Sequence, residues 1–102
     1  MKAKLSKFNP IDYLKTQEDI AGFLESANET GDTEYIVKAL AVAIKAQGLL
    51  KTSKETGLNR SGIYHSFFGE KSRNPGILTV AKIANNLGWD LILKQRTKVA
   101  SS

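Results

Sequence analysis

The stretch from residue 45 to 68 constrains the fold of this 102-residue chain more than any other part of it. Gly57 interrupts a helical pattern there, and glycine can take the left-handed backbone conformation that ends a helix without a Cβ clash. Asn59 follows two residues later, and asparagine is a favourable N-cap. The sequence therefore predicts a helix over about 50–56, a tight turn, and a second helix that begins after Asn59.

The second helix is predicted to have an apolar and a polar side. Ile63 and Phe67 are four residues apart and therefore share one side, which we expect to face the core. The polar side carries Arg60, Ser61, Tyr64 and His65. Arginine can bond two guanine acceptors at once, and the first residues of a recognition helix meet base edges in the major groove. The pair is typical of a DNA-reading helix-turn-helix, although an ordinary helical hairpin has the same pattern.

Charge is distributed unevenly along the chain, whose net charge is +5. Residues 12–34 contain seven acids against one lysine, a local net charge of −6. Residues 45–73 contain six bases against two acids, a local net charge of +4. DNA phosphates should prefer the second region, whereas a basic protein partner should prefer the first.

Composition argues against several functions. The chain has no cysteine, which excludes disulfides and thiolate chemistry and fits a reducing cytoplasm. With one histidine and no cysteine we expect no metal site and no cofactor. There is no glycine-rich phosphate loop and no paired carboxylate motif, so we expect no enzymatic activity. No run approaches the roughly 18 apolar residues of a membrane span, so we expect a cytoplasmic protein without membrane contact.

Three further helices are predicted from apolar residues that recur every three or four positions. The first is capped by Thr16 and carries Ile20, Phe23, Leu24 and Ala27 on one side. The second, over about 34–46, is capped by Thr33 and carries Ile36, Val37, Leu40 and Ile44. The third, over about 77–87, ends at Gly88 and carries Ile77, Val80, Ala81, Ala84 and Leu87. A short helical turn is also expected after Asn9 and Pro10.

The residues after Gly88 alternate in a way that is typical of a strand. A lone strand leaves N–H and C=O groups unpaired, and a copy from a second chain would satisfy them. The predicted dimer interface consists of Trp89, Leu91, Ile92 and Leu93. A coil laid over the helices is the alternative. The chain is thus divided into an N-terminal basic tail and acidic helical segment (1–32), a helix-turn-helix domain (33–88), and a C-terminal strand and tail (89–102).

Several blocks of the sequence resemble one protein family, and the resemblance extends from about Phe8 to Leu93, about 85% of the chain. They are residues 8–14, Asp19-Ile20, Phe23-Leu24, 29–32, Ala39-Leu40, 46–49, 55–60, Ile63-Tyr64, Asn74-Pro75, Thr79-Val80, Lys82-Ile83 and Leu87-Gly88. They resemble the probable addiction-module antidote proteins, the antitoxins of small toxin–antitoxin pairs. The helix pair and its neighbours resemble a lambda-repressor-like (XRE-type) helix-turn-helix domain.

This resemblance implies an all-α, five-helix, dimeric DNA-binding protein with a short C-terminal strand. Such a protein would neutralise a small RelE-like ribonuclease toxin and repress its own operon. The sequence departs from the usual helix-turn-helix pattern at Ser53, where alanine is common, and at Thr52 and Thr56, where apolar residues are frequent. The pattern therefore predicts the first helix of the pair but not its close packing.

Candidate contacts follow from the residues if the chain is such a protein. Those expected at DNA bases are Arg60, Ser61, Tyr64 and His65, and those expected at phosphates are Lys51, Asn59, Lys71, Arg73 and Asn74. Two copies would address two half-sites of the chain's own operator about 34 Å apart. Expected apolar contacts with the toxin, a small basic protein, are Phe8, Tyr13, Phe23 and Leu24.

Two other functions remain open from the sequence. A stand-alone repressor of the phage or cellular type would share every DNA-reading residue and lack a toxin partner. A helical domain that binds only proteins would lack salt-sensitive DNA binding.

Overall fold

The computed structural model describes residues 13–68 and 75–96, which form five helices and no strand. The helices are α1 (Gln17–Glu29), α2 (Thr33–Gln47), α3 (Leu49–Thr56), α4 (Arg60–Phe67) and α5 (Ile77–Asn86). The described part is therefore all-α, as predicted. The expected turn after Asn9 and Pro10 lies outside the described residues, as do Phe8, Lys71, Arg73 and Asn74.

Local hydrogen bonds determine where α1 and α2 begin. The Thr16 hydroxyl accepts from the Asp19 N–H at 3.0 Å, and the Asp19 carboxylate accepts from the Thr16 N–H at 3.1 Å, which forms a capping box. The predicted cap of α2 at Thr33 is wrong by one residue. Asp32 is the extended residue before that helix, and its side chain accepts from the Tyr35 N–H at 3.2 Å.

The turn between α3 and α4 has the predicted geometry. Gly57 has φ 80°, and its N–H donates to the Ser53 carbonyl at 2.9 Å, which ends α3. The Asn59 side-chain oxygen accepts from the N–H groups of Ser61 and Gly62 at 2.8 and 3.2 Å, which caps α4. Only residues 57–59 separate the two helices.

One buried cluster holds all five helices together, with α2 at its centre. Ile44 of α2, Ile63 of α4 and Ile83 of α5 are at most 1% exposed. Ile20 and Leu24 of α1 belong to the same cluster, so the core crosses the predicted boundary at residue 32. Burial of such side chains stabilises the fold by about 1.5–3 kcal/mol each.

The predicted core side of α5 is partly wrong. Ile77 is 70% exposed, whereas Ile83, which was not predicted to face inward, is fully buried. The inward side runs through Val80, Ile83, Ala84 and Leu87, which also have the i, i+3, i+4, i+7 spacing of a helix stripe. Ile77 is the first residue of α5 and lies beyond the buried cluster, although its spacing from Val80 and Ala84 fits the same side of the helix.

The predicted C-terminal strand is not present in this single chain. Residues 89–96 have no regular secondary structure. Trp89 packs against the core, and its N–H donates to the Ala84 carbonyl at 2.8 Å. A strand needs a neighbour that accepts and donates along its edge, and the described residues provide none beyond Trp89.

Candidate nucleic-acid interface

The outer side of α4 presents the four residues predicted to contact bases. Arg60, Ser61, Tyr64 and His65 are all exposed, while Ile63 between them is 1% exposed and fixes the opposite side in the core. Tyr64 is 48% exposed. The structure therefore brings the predicted base-reading residues together on one solvent-facing surface.

Aromatic contacts brace the side chain of Tyr64. Its ring centroid lies 5.8 Å from that of Phe68, with the planes inclined by 31°, and 5.7 Å from that of His65 in an edge arrangement. The Lys45 ammonium lies 5.8 Å from the Phe68 ring centroid. These contacts limit the positions that the Tyr64 ring can take. They therefore also restrict the position of its hydroxyl group.

Arg60 is the first residue of α4, close to the positive end of the helix dipole. Within residues 13–68 and 75–96 its guanidinium has no carboxylate partner. A cation at this position opposes the dipole, and an anion bound beside it would relieve that repulsion. The oxygen of Asn59 is occupied by capping, so a phosphate contact from this residue would use the amide nitrogen.

A polar network joins α3 to α2 and α5. The Gln47 amide donates to the Thr52 hydroxyl at 2.8 Å and to the Asn86 side-chain oxygen at 2.7 Å. The Asn86 amide donates to the Glu55 carboxylate at 2.8 Å, and the Lys51 ammonium donates to the same carboxylate at 2.8 Å. We call these five residues the polar network. It fixes α3, and through the tight turn α4, relative to the core.

Hydroxyl groups explain how the unusually polar α3 packs closely. Thr52 is fully buried and donates to the Gly48 carbonyl at 2.9 Å. Ser53 donates across the turn to the Leu58 carbonyl at 2.6 Å. Thr56 donates to the Thr52 carbonyl at 2.7 Å and accepts from the Leu58 N–H at 3.1 Å. The three residues that depart from the usual pattern therefore form hydrogen bonds, and these bonds stabilise α3 and the turn between α3 and α4.

The Lys51 side chain, predicted to contact phosphate, is paired within α3. The hydrogen bond from Lys51, followed by that from Asn86, lowers the pKa of Glu55 below its usual value, so this carboxylate is charged at neutral pH. The Lys51 side chain is 49% exposed. A phosphate at Lys51 would therefore compete with Glu55 for the ammonium.

Most hydrogen bonds of the polar network were not predicted from the sequence. The Lys51–Glu55 pair could have been found from its i, i+4 spacing. Gln47 and Asn86 are 39 residues apart, and no local pattern predicts that their side chains meet. In the part of the chain that is described, no buried side-chain nitrogen or oxygen lacks a hydrogen-bond partner.

The residues predicted to contact a toxin differ in what they present to a partner. Tyr13 is 64% exposed, Phe23 is half-buried against the core, and Leu24 is 5% exposed within it. Leu24 offers a partner almost no surface in this conformation. Glu18, Asp19, Glu25 and Glu29 of α1 are exposed. Backbone hydrogen bonds from Lys15 and Thr16 lower the pKa of Asp19, which caps the helix.

The residues predicted to form the dimer interface also differ in their exposure to solvent. Trp89 is half-buried, whereas Leu91, Ile92 and Leu93 are 44%, 77% and 98% exposed.

Within the described residues, no cluster of acidic or histidine side chains is arranged to hold a metal ion. No helix there is long and apolar enough to cross a lipid bilayer.

Comparison with known proteins gives a family and a relative. The sequence model of a family described as probable addiction module antidote protein matches residues 4–95. An uncharacterized protein of Haemophilus influenzae is 25% identical over 95 residues, which cover 93% of this chain and 96% of that protein. No solved structure matches the chain.

Proposed function

The chain belongs to the family of probable addiction module antidote proteins, and we propose that it is an antitoxin that also represses its own operon. In this proposal α3 and α4 form a helix-turn-helix that binds the operator. The chain also binds and neutralises a small basic, RelE-like ribonuclease toxin. The observation that carries the DNA-binding part is the exposed polar side of α4, which follows an α3 that the polar network joins to α2 and α5.

The dimensions of α4 suit a major groove. An α-helix with its side chains is about 10–12 Å in diameter, and the major groove of B-DNA is about 12 Å wide, so the eight-residue α4 can enter it. With Ile63 fixed in the core, Arg60, Ser61 and Tyr64 face outward together, and His65 lies at the edge. We assign base contacts to these side chains because they combine a bidentate donor with hydroxyl groups that donate and accept.

Phosphate contacts come from residues around this surface. We assign them to Lys51 and Asn59 of the described structure, and to Lys71, Arg73 and Asn74, which follow α4 in the sequence and lie outside the described residues. These contacts set register and affinity but do not distinguish base sequences. A dimer would present two α4 helices to half-sites about 34 Å apart, which raises affinity beyond that of a single small domain.

Toxin binding is assigned to the acidic α1 surface. Glu18, Glu25 and Glu29 would attract a basic ribonuclease, and Tyr13 and Phe23 would supply apolar contact area. The core position of Leu24 removes it from this surface. The function involves binding only, without a chemical reaction or a cofactor. Co-expression with the product of the neighbouring gene tests this part, because a stand-alone repressor would not co-purify with it.

Replacement of Arg60 by alanine tests the DNA-reading surface. We expect Arg60→Ala to weaken binding to the chain's own promoter by about 1–3 kcal/mol, and binding to random DNA much less, because a base contact is lost. Fluorescence anisotropy at fixed salt concentration measures both affinities.

The matched control is Lys82→Ala, which removes the same charge from an exposed position of α5. It should leave the preference for the promoter unchanged. Equal losses for Arg60→Ala on promoter and random DNA would show that Arg60 contacts phosphate, and an unchanged affinity on both would contradict the proposed interface.

A further inference from the structure

The ring of Tyr64 is supported by the side chain of Phe68, the residue that follows α4. Their ring centroids are 5.8 Å apart, and the Phe68 N–H donates to the Tyr64 carbonyl at 2.8 Å. Residues four apart along a helix lie on the same side of it, so the contact follows from the position of Phe68 in the sequence. Tyr64 is 48% exposed, whereas Phe68 is half-buried and packs against the core. The contact therefore joins a solvent-facing ring to an anchored one.

Two further groups hold Phe68 in place. Its ring centroid lies 6.4 Å from that of Phe67, which packs against the core, and 5.8 Å from the ammonium of Lys45 in α2. A cation over the face of an aromatic ring is attracted to it. Within residues 13–68 and 75–96 this ammonium has no carboxylate partner that would compete with the ring. The row Lys45, Phe68 and Tyr64 thus connects α2, the central helix, to the exposed side of α4.

The position of the Tyr64 hydroxyl depends on this row. Without Phe68, the described chain leaves Tyr64 only the exposed ring of His65 as an aromatic contact. A tyrosine on a helix can take two χ1 rotamers, and a change between them moves the hydroxyl away from a given base edge. DNA binding would then have to order the side chain, which lowers the affinity for the correct base. Because hydrogen bonds weaken steeply when their geometry is poor, a supported ring distinguishes bases better.

We propose that Phe68, with Lys45 behind it, is a positioning residue that determines how well Tyr64 distinguishes bases, without contacting DNA itself. This inference rests on the proposed function and deepens it, because it names side chains outside the DNA-reading surface that set its sequence preference. It requires an aromatic ring at position 68 rather than apolar volume alone. Leucine there would still pack against the core but would lose the contacts that its ring makes with Tyr64 and Lys45.

The test measures binding of the full chain to its own promoter and to fragments in which one base pair at a time is replaced. Fluorescence anisotropy at fixed salt concentration gives the discrimination at each base pair. We expect Tyr64→Phe to reduce it about 3- to 10-fold at one base pair of each half-site, because one hydrogen bond is lost. Phe68→Leu should reduce it at the same base pair. The double variant should lose little more, since the hydroxyl that Phe68 positions is already absent.

Three further variants separate positioning from packing. Phe68→Tyr keeps a ring and should retain the wild-type discrimination. Lys45→Gln should reduce discrimination at that base pair about 2- to 5-fold, as expected for a lost cation–π contact. The matched control is Leu14→Ala, because Leu14 is also half-buried against the core and lies before α1. It should lower the stability to urea, as Phe68→Leu does, and leave the discrimination at every base pair unchanged.

The proposal would be overturned by wild-type discrimination in Phe68→Leu, or by a loss spread over all base pairs that adds to that of Tyr64→Phe. It would also be overturned if Tyr64→Phe bound every fragment as the wild type does. In each case Arg60→Ala would still weaken promoter binding if the proposed function is correct. An Arg60→Ala variant with unchanged affinity for promoter and random DNA would contradict the proposed interface and this inference together.

Discussion

The polar network and the C-terminal segment, residues 91–93, differ in how far their groups are paired or buried within the described chain. In the network, Gln47, Glu55 and Asn86 are joined to one another or to neighbouring helices by hydrogen bonds of 2.7–2.8 Å. In the segment, Ile92 and Leu93 are 77% and 98% exposed, and the backbone around them is unpaired within the described chain. The polar groups of the first region are paired within one chain, whereas the described residues provide no partner for the exposed apolar side chains and backbone groups of the second.

This difference fits the two tasks of the proposed repressor. A helix that reads bases must be held in one orientation before it meets DNA, because mobility there reduces both affinity and discrimination. A surface that assembles two copies must instead remain exposed in the free chain. The comparison predicts that substitutions in the network change the stability of the single chain, and that substitutions in the segment change association.

The largest effect on the folded chain is expected for Gln47→Leu. This change leaves the Asn86 oxygen and the buried Thr52 hydroxyl without the donor that they share. The free energy of unfolding should fall by about 1–3 kcal/mol, the cost of unsatisfied buried polar groups. Urea denaturation at a concentration where the chain is monomeric measures this loss.

The same chemical change at an exposed position provides the control. Gln17→Leu, at the start of α1, should alter the free energy of unfolding by no more than about 0.5 kcal/mol. Leu93→Ala in the C-terminal segment should likewise leave the unfolding of the monomer unchanged. If Leu93→Ala destabilised the monomer as much as Gln47→Leu, the contrast between the two regions would be wrong.

A smaller loss is expected for Ser53→Ala, which restores the residue that is usual in helix-turn-helix motifs. Alanine has the higher helix propensity, by up to about 0.5 kcal/mol. Loss of the 2.6 Å hydrogen bond from Ser53 to the Leu58 carbonyl should cost about 1 kcal/mol and outweigh that gain. The melting temperature should therefore fall. Ser26→Ala, on the exposed side of α1, should raise it or leave it unchanged, and a rise for both variants would contradict the role of the Ser53 hydroxyl.

Most caps of the helices, though not that of α2, could be predicted because they depend on nearby residues. Gly57 at φ 80°, the Thr16 capping box and the Asn59 cap each involve groups within four residues of one another. The inward position of Ile63 followed from helix periodicity. These features make the outer side of α4, and thus the candidate base-reading surface, accessible to prediction from sequence.

The remaining features depend on contacts that are distant in sequence or lie in another chain. The Gln47–Asn86 hydrogen bond exists only once α2 and α5 have packed together. The spacing of Ile77 from Ala81 and Ala84 predicts a core position, but Ile77 is 70% exposed because the buried cluster does not extend to the first residue of α5. The strand over 89–94 was predicted from alternation, and alternation cannot supply the partner that a strand requires.

The smallest effect is expected from the titration of Glu55 in the polar network. Because hydrogen bonds from Lys51 and Asn86 lower the pKa of Glu55 in the folded chain, its unfolded form binds a proton more readily, with a pKa near 4.5. The stabilisation is therefore fully present above about pH 4.5 and is lost as the pH falls through the lower pKa of the folded state. Glu55→Gln should be less stable than the wild type at pH 7, and this difference should narrow at pH 3.

Urea denaturation of both proteins at pH 7 and pH 3 measures that change. Glu25→Gln provides the control, since the Glu25 carboxylate on α1 makes no ion pair or side-chain hydrogen bond with any described residue. Its stability relative to the wild type should change less between the two pH values. A difference between Glu55→Gln and the wild type that stays constant with pH would mean that the charge of Glu55 does not contribute to the network, and that its geometry alone holds α3 to α5.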